Sequence, residues 1–285
     1  MTCGRRFIGI AVLAATAGWH HPIAAQDVRW QRSGQAARVP VTVFHSPQSA
    51  NLPTAETLNR GEWQIEVSHR FQDPLSGGID DLWGLDGSAW IRLGLTWAAA
   101  DRVNLGLLRT NQNDNLEVNT KVRFAEGGRG SVPWMAALMG GVAINPQLGE
   151  AEGIDGREPQ AYGELIVNAL FGGKWAVGVV PALLYNPYYA ETEKTTAVSV
   201  GLNTQVYVHR GVSLLAEWNV SKAHATVPHD AGTFGIELET GGHFFKLIAT
   251  NSVKTDPTQF LAGTPVRFTP REWRFGFNIT RLLAY

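Results

Sequence analysis

The strongest indication of the fold is the last stretch of the sequence, Trp273-Arg-Phe-Gly-Phe-Asn-Ile-Thr-Arg-Leu-Leu-Ala-Tyr285. Every second residue from Trp273 to Tyr285 is apolar or aromatic, with Arg281 as the exception. A period of two indicates a β-strand with one face in an apolar medium. A chain that ends on such a strand, with an aromatic residue last, is typical of bacterial outer-membrane β-barrels, and we expect that architecture here.

Similar alternation begins at Gly61 and continues through the chain. In the first segment, Trp63 and Ile65 lie on one face and Gln64 and Glu66 on the other. Counting all such segments gives about twelve strands, and bacterial single-chain barrels have an even number. The sequence therefore predicts an all-β fold, a transmembrane antiparallel up-and-down β-barrel over residues 61–285.

The connections between these segments alternate in length. The short ones are residues 98–102, 172–173, 209–211 and 241–242, with 125–133 longer than the rest. The long polar ones are residues 72–87, 109–115, 145–158, 186–193, 222–231 and 253–269. Short periplasmic turns and longer extracellular loops produce this rhythm in a barrel, whereas a β-sandwich has no reason to produce it.

Aromatic residues on the predicted lipid face cluster beside the short turns. Such a cluster is expected where a barrel crosses the membrane interface. The predicted girdle consists of Trp63, Trp97, Phe124, Trp134, Phe171, Trp175 and Tyr285. Pro181 interrupts one predicted strand, and because proline donates no ladder hydrogen bond we expect a bulge or a local break there.

The first 60 residues differ from the rest. Arg5 and Arg6, followed by an apolar run and Ala25, predict a secretory signal peptide over residues 1–25. The only cysteine, Cys3, lies in this segment, so the mature chain would have neither disulfides nor thiolate metal sites. Residues 26–60 lack lipid-facing alternation, although residues 38–44 resemble a short strand. They are either a periplasmic lead-in or a plug within the barrel.

Composition agrees with a membrane barrel and gives little support to nucleic-acid binding. The mean hydropathy is −0.10 with 31 Gly and 10 Trp, which suits strands that are half lipid-facing and half polar. Removal of the signal peptide leaves 22 of the 24 basic residues against 25 acidic ones, a net charge of −3. This nearly balanced charge provides no basic field for a nucleic acid.

The residues also resemble a known family. The stretches Asn51-Leu-Pro-Thr-Ala-Glu-Thr-Leu58, His69-Arg-Phe71, Leu82-Trp-Gly-Leu-Asp86, Ile91-Arg-Leu-Gly94 and Asp101-Arg-Val103 are similar, in order, to a family of uncharacterised bacterial outer-membrane β-barrel proteins. The resemblance covers about residue 43 to the C-terminus and departs from the family pattern at Trp83, where phenylalanine is expected. It implies the barrel fold and no particular activity.

Charged residues with inward parity are the candidate functional site. They form either a polar pathway that selects solutes or a ladder of salt bridges that rigidifies a closed interior. The candidates are Glu66, Arg70, Arg92, Glu117, Lys121, Arg123, Glu164, Glu217, Glu237, Glu239 and Lys246.

Other chemistry has weaker signals. Acidic loop residues, namely Asp80, Asp81, Asp86, Glu150, Glu152, Asp155 and Glu158, are more typical of solvated loops than of a Ca²⁺ site, because no ligand spacing is present. His69 has outward parity, as expected of a lipid-face hydrolase, but Ser68 beside it points to the opposite face. No zinc-protease, nucleophile-elbow or P-loop motif occurs. The sequence predicts no metal site and no cofactor.

The leading interpretation is a passive channel or small-solute binding and transport barrel in the outer membrane of a Gram-negative bacterium. The alternative is a closed scaffold that docks partners through its loops or residues 26–60, and the third is a lipid-face hydrolase. The expected partners are outer-membrane lipid and lipopolysaccharide, with small solutes and a periplasmic protein as further candidates, and no nucleic acid.

Overall fold

The computed structural model describes residues 39–128, 132–147, 159–189, 191 and 193–283, so the predicted signal peptide lies outside the described residues. Twelve β-strands form the fold, as predicted. They are β1 (Trp63–Pro74), β2 (Ala89–Ala100), β3 (Val103–Thr110), β4 (Leu116–Gly127), β5 (Trp134–Ile144), β6 (Gln160–Phe171), β7 (Trp175–Tyr185), β8 (Thr196–His209), β9 (Val212–Ser221), β10 (Ala231–Glu239), β11 (His243–Thr250) and β12 (Arg274–Leu283).

The strands close into an antiparallel barrel. Each strand pairs with its neighbours in sequence, and β1 pairs with β12, where Trp63 lies opposite Leu283. The C-terminal stretch quoted above thus supplies the strand that closes the sheet, and a closed sheet leaves no unpaired edge for the apolar medium. The prediction of an up-and-down barrel is confirmed.

Side chains alternate between the outer surface and the interior. On β2, Leu93 and Leu95 are 56% and 39% exposed, whereas Arg92, next to Leu93 in the strand, is 3% exposed. A barrel with an apolar outer surface and a polar interior needs this pattern, because successive residues of a strand point to opposite sides.

The two ends of the barrel differ. At the short-turn end, glycines provide the positive φ angles that tight connections require: Gly172 and Gly173 have φ of 55° and 67° between β6 and β7. The long-loop end carries a 3₁₀ segment, Leu75–Gly84, and a short helix, α1 (Pro257–Leu261). Within the described ranges, no helix has the length and apolar character needed to cross a membrane.

Pro181 causes a break without a bulge. On one side, β7 stays paired with β8 through Pro181 opposite Val200. On the other side, the pairing with β6 lapses opposite Leu165 and Ile166 and resumes in the same register. The missing N–H of proline explains the gap, and the unchanged register keeps the inward parity of β7 intact.

Residues 43–58, which we call the inner segment, run through the interior of the barrel. Val43, Phe44 and Leu52 are almost fully buried there. The strand predicted over residues 38–44 is wrong for its described part, residues 39–44, which form none. The reason is that the closed sheet offers no edge, and the N–H groups of Val43 and Phe44 donate to the Glu56 carboxylate instead, at 2.9 and 3.0 Å.

Candidate functional site

The interior charges lie around the inner segment. Ten of the eleven sequence-predicted lumen residues are at most 5% exposed. The exception, Arg123, is partly exposed near the short-turn end, where it donates to the carbonyl of Asp101 at 3.3 Å and lies 3.5 Å from the Glu126 carboxylate. The buried ten are Glu66, Arg70, Arg92, Glu117, Lys121, Glu164, Glu217, Glu237, Glu239 and Lys246.

Glu217 on β9 binds the main chain of the inner segment. Its Oε1 accepts from the N–H groups of Ala50 at 2.7 Å, Asn51 at 3.0 Å and Leu52 at 3.0 Å. Its Oε2 accepts from the Asn51 side-chain amide at 3.0 Å. Three successive N–H groups that converge on one point form a concave anion site, and here a wall carboxylate occupies it.

Two lysines bind the carbonyls of the same segment. Lys246 on β11 donates to the carbonyls of Gln48 at 2.5 Å and Ser49 at 2.7 Å. Lys121 on β4 donates to those of Pro47 at 2.8 Å and Thr54 at 2.9 Å. Among the described residues, the inner segment pairs with no wall strand and forms one bridge within itself, between Gln48 and Pro53. The lysines therefore satisfy main-chain groups that would be costly to bury unpaired.

Two arginines connect the inner segment to its surroundings. Arg70 on β1 donates to the Asn51 side chain at 2.9 Å and to Asn278 on β12 at 2.7 Å. Arg92 on β2 pairs with Glu66 at 2.7 Å and donates to Gln48 at 3.1 Å. Arg92 also donates to the carbonyl of Thr255, in the loop between β11 and β12. One guanidinium thus touches the wall, the inner segment and a long loop.

That loop folds into the mouth of the barrel. We call residues 251–264 the inner loop; it contains α1, whose N-terminal cap is the buried Asp256. Burial raises the pKa of the Asp256 carboxyl, although it accepts from the N–H of Gln259 at 3.2 Å. Phe260 and Leu261 pack with Leu52 in one apolar cluster, so the inner loop and the inner segment meet. The lumen is therefore filled from both ends.

Cavities remain beside the inner segment. One of about 60 Å³ lies at mid-height, between the inner segment and β1 to β6. A larger one, of about 420 Å³, lies at the short-turn end, with Phe44, Glu56, Arg123 and Trp134 in its lining. The smaller cavity has room for only a few water molecules, so the space that the described residues leave at that height is too small for a larger solute.

The predicted girdle residues lie near the short-turn end. Trp97, Phe124, Phe171 and Trp175 are exposed on the outer surface, and Trp134, also exposed, lines the cavity at the short-turn end. Trp63 stacks on Trp97 at 5.9 Å, and Phe171 lies 6.1 Å from Trp175. Tyr285 lies outside the described residues. The interfacial role of these residues stays a prediction.

His69 has aromatic neighbours. Its ring stacks on Phe277 at 4.9 Å and lies 4.4 Å from Phe71, and its pairing partners are Phe277 and Ile91. Ser68 points inward and donates to Glu66 at 2.5 Å. Neither of the two residues opposite His69 is a serine. Among the described residues, no nucleophile therefore lies beside His69 to support the hydrolase interpretation.

The acidic loop residues form no assembled cation site. Asp80, Asp81 and Asp86 are exposed on the long-loop end. Glu150, Glu152, Asp155 and Glu158 lie outside the described residues. In the part of the chain that the structure describes, no group of three or more His, Cys, Asp or Glu is arranged to hold a metal.

Sequence reasoning missed the residues that complete the interior. Asn51, Glu56 and Asp256 lie in segments without strand alternation, and Tyr162 was not singled out on β6. Tyr162 donates to Glu117 at 2.6 Å, and its ring lies over Gly141, where an added Cβ would be 2.6 Å from the ring. The signal in the sequence was the glycine at position 141, which lies opposite the inward-facing Tyr162 on the neighbouring strand.

Comparison with solved structures finds barrels of low sequence identity. The NanC porin has 6% identity and a TM-score of 0.45, covering 78% of this chain and 99% of the porin. An outer membrane channel from Pseudomonas putida F1 has 13% identity and a TM-score of 0.45, and the match covers 80% of this chain and 98% of the channel. The outer membrane phospholipase A from Escherichia coli has 10% identity and a TM-score of 0.40, covering 79% and 90%. These values transfer no activity to this chain.

Comparison with protein families is more decisive. No curated protein matches the chain. The model of a family described as "Membrane bound beta barrel domain (DUF5777)" matches residues 44–283, which include all twelve strands and nearly all of the inner segment. This match confirms the resemblance found from the sequence. The chain belongs to this family of membrane-bound β-barrel proteins.

Proposed function

We propose that this protein is an outer-membrane channel for small polar solutes, held closed by its inner segment. The observation that carries the proposal is the way in which wall charges bind that segment. Glu217, Lys121 and Lys246 reach its main-chain N–H and C=O groups, and these are contacts that water can replace when the segment leaves. The polar wall behind it is the lining that an aqueous pore needs.

The closed scaffold is the second candidate, and apolar packing favours it. Val43 and Phe44 pack with Ile166, and Leu52 packs with Phe260 of the inner loop. Full burial of one such side chain stabilises the closed form by roughly 1.5–3 kcal/mol. A permanently sealed barrel would present its loops and the residues before the inner segment to partners in place of a pore.

Single-channel conductance in planar bilayers separates the two. The chain from residue 26 onward is compared with a variant that lacks residues 26–60 and with a control that lacks only 26–38, which keeps the inner segment. We expect steady conductance from the first variant and a closed barrel from the other two. Silence from all three, with the barrel folded, contradicts a channel closed by the inner segment and favours the scaffold.

A further inference from the structure

The mid-height cavity of about 60 Å³ has an unbalanced lining. The inner segment contributes Gln48 and Asn51 to it. The ionisable side chains that line it carry three negative charges and two positive ones: Glu66, Arg92, Glu117, Lys121 and Glu164. With every group in its usual charge state, the cavity has a net charge of −1.

Four of these five groups have partners. Arg92 and Glu66 form an ion pair at 2.7 Å. Glu117 accepts from Tyr162 at 2.6 Å and from the side-chain amide of Asn119 at 2.8 Å. Lys121 donates to two carbonyls of the inner segment. Glu117 and Glu164 therefore share the net negative charge, because the partners of Glu117 are neutral. Of these two carboxylates, only Glu164 lacks a hydrogen bond among the described residues.

Glu164 has no hydrogen-bond partner within the described part of the chain. It is 2% exposed, and neither of its carboxylate oxygens accepts a hydrogen bond there. Gln64 Oε1 on the same lining is also without a donor among the described residues. The donors left over, Arg92 Nε and Asn104 Nδ2, belong to groups that are bound through other atoms. A buried, unpaired carboxylate is strongly unfavourable unless a positive charge reaches it.

We propose that this cavity binds one small monovalent cation, such as Na⁺ or K⁺, on the carboxylate of Glu164. Hard cations take oxygen ligands, and Gln64 and Glu117 bring further oxygens to the same lining. One positive charge neutralises the cavity, and its size suits an ion with a few waters. Because Gln48 and Asn51 also line the cavity, the ion lies between wall and inner segment and stabilises the closed form.

The site is tested without reference to conductance. Crystals of the protein from residue 26 onward, grown with thallium(I) as the cation, should give one anomalous peak within ligand distance of the Glu164 carboxylate. In parallel, the melting temperature is measured in KCl and in choline chloride, whose cation is too large for the cavity. The variant is Glu164→Gln. The control is Glu239→Gln, which removes an equally buried charge that already accepts from Gly242 and Val39.

We expect KCl to raise the melting temperature of the wild-type protein and of Glu239→Gln by about 2–4 °C relative to choline chloride. Glu164→Gln should lose this difference. Equal melting temperatures of the wild-type protein in the two salts, or a difference that survives in Glu164→Gln, overturn the site. If that variant does not fold, the thallium map alone decides, and a cavity without an anomalous peak means that Glu164 is neutralised by a proton.

Discussion

Substitution of Glu217 by glutamine should loosen the inner segment by a predictable amount. The carboxylate accepts three successive main-chain N–H groups, from Ala50, Asn51 and Leu52. Hydrogen bonds to a charged group contribute about 1.5–3 kcal/mol each, and glutamine retains one weaker acceptor oxygen. The expected loss is about 3–4 kcal/mol. Since about 1.4 kcal/mol is a factor of ten, the fraction of molecules with the segment released rises about 100- to 1000-fold.

A thiol reporter measures this fraction directly. Ser49 is 2% exposed, and its hydroxyl has no partner in the described residues, so Ser49→Cys should be tolerated. With Cys3 replaced, the new thiol is the only one in the chain. A maleimide reagent then reacts only with the released form, and its rate follows the opening equilibrium when reclosing is fast.

We expect the labelling rate of Ser49→Cys to rise about 100- to 1000-fold when Glu217→Gln is added. The control is Glu272→Gln, the same chemical change on a half-exposed loop carboxylate, which should leave the rate unchanged. If the Glu217→Gln barrel is folded and its labelling rate rises less than about threefold, Glu217 does not hold the inner segment in place. Rapid labelling of Ser49→Cys alone refutes the closed lumen itself.

Three further substitutions test the packing and electrostatics of the interior. Gly141→Ala pushes Tyr162 from its place and should lower the free energy of unfolding by about 1–3 kcal/mol in a guanidinium titration; no change would contradict that packing. Lys246→Met leaves the buried Glu237 without its ammonium at 3.3 Å and should cost about 3–5 kcal/mol, whereas an isoenergetic variant would show the pair to be replaceable. Asp256→Asn should stabilise the barrel at pH 7, because burial raises the pKa of that carboxyl and the folded wild-type chain loses stability as the pH rises through this pKa. The stability difference between variant and wild type should vanish below about pH 4, where the Asp256 carboxyl is protonated in the folded and the unfolded chain alike.

The strands of the barrel wall could be predicted from the sequence because the pattern that marks each strand lies within that strand. A strand of twelve residues, such as β2, repeats its apolar residues with a period of two, and each inward residue follows from its neighbours. Within the described strands the register shifts at four places, all near strand ends, where little strand remains to be misassigned: between Arg70 and Pro74, Ala98 and Ala100, Arg123 and Ala125, and Tyr207 and His209.

The interior could not be predicted in the same way. The contacts of the inner segment join residues far apart in sequence: Ala50 meets Glu217, and Ser46 meets Lys246. Nothing periodic marks such a segment, because its main chain is satisfied by side chains instead of a ladder. The alternation in residues 38–44 was misleading for the same reason, since a strand-like pattern has no strand partner inside a closed barrel.

The inward charges also answer a question that the sequence left open. From the sequence, these charges form either a pathway that selects solutes or a ladder of salt bridges. Within the described residues, only Glu66 with Arg92 and Glu237 with Lys246 are direct ion pairs between wall strands, while Glu217 and Lys121 bind the inner segment's main chain. The two signs therefore occur together for two reasons: some of the charges pair with one another, and others bind main-chain N–H or C=O groups of the inner segment.

In the proposed channel, the residues that bind the inner segment also set the electrostatic potential along the open pore. The eleven candidates carry six negative and five positive charges. In the variant that lacks residues 26–60, Glu217→Gln should shift the reversal potential in a KCl gradient towards anion preference, and Lys246→Met should shift it towards cation preference. Here closure no longer matters, so the two shifts report the field alone. Shifts of the same sign would show that these side chains do not face the conducting path.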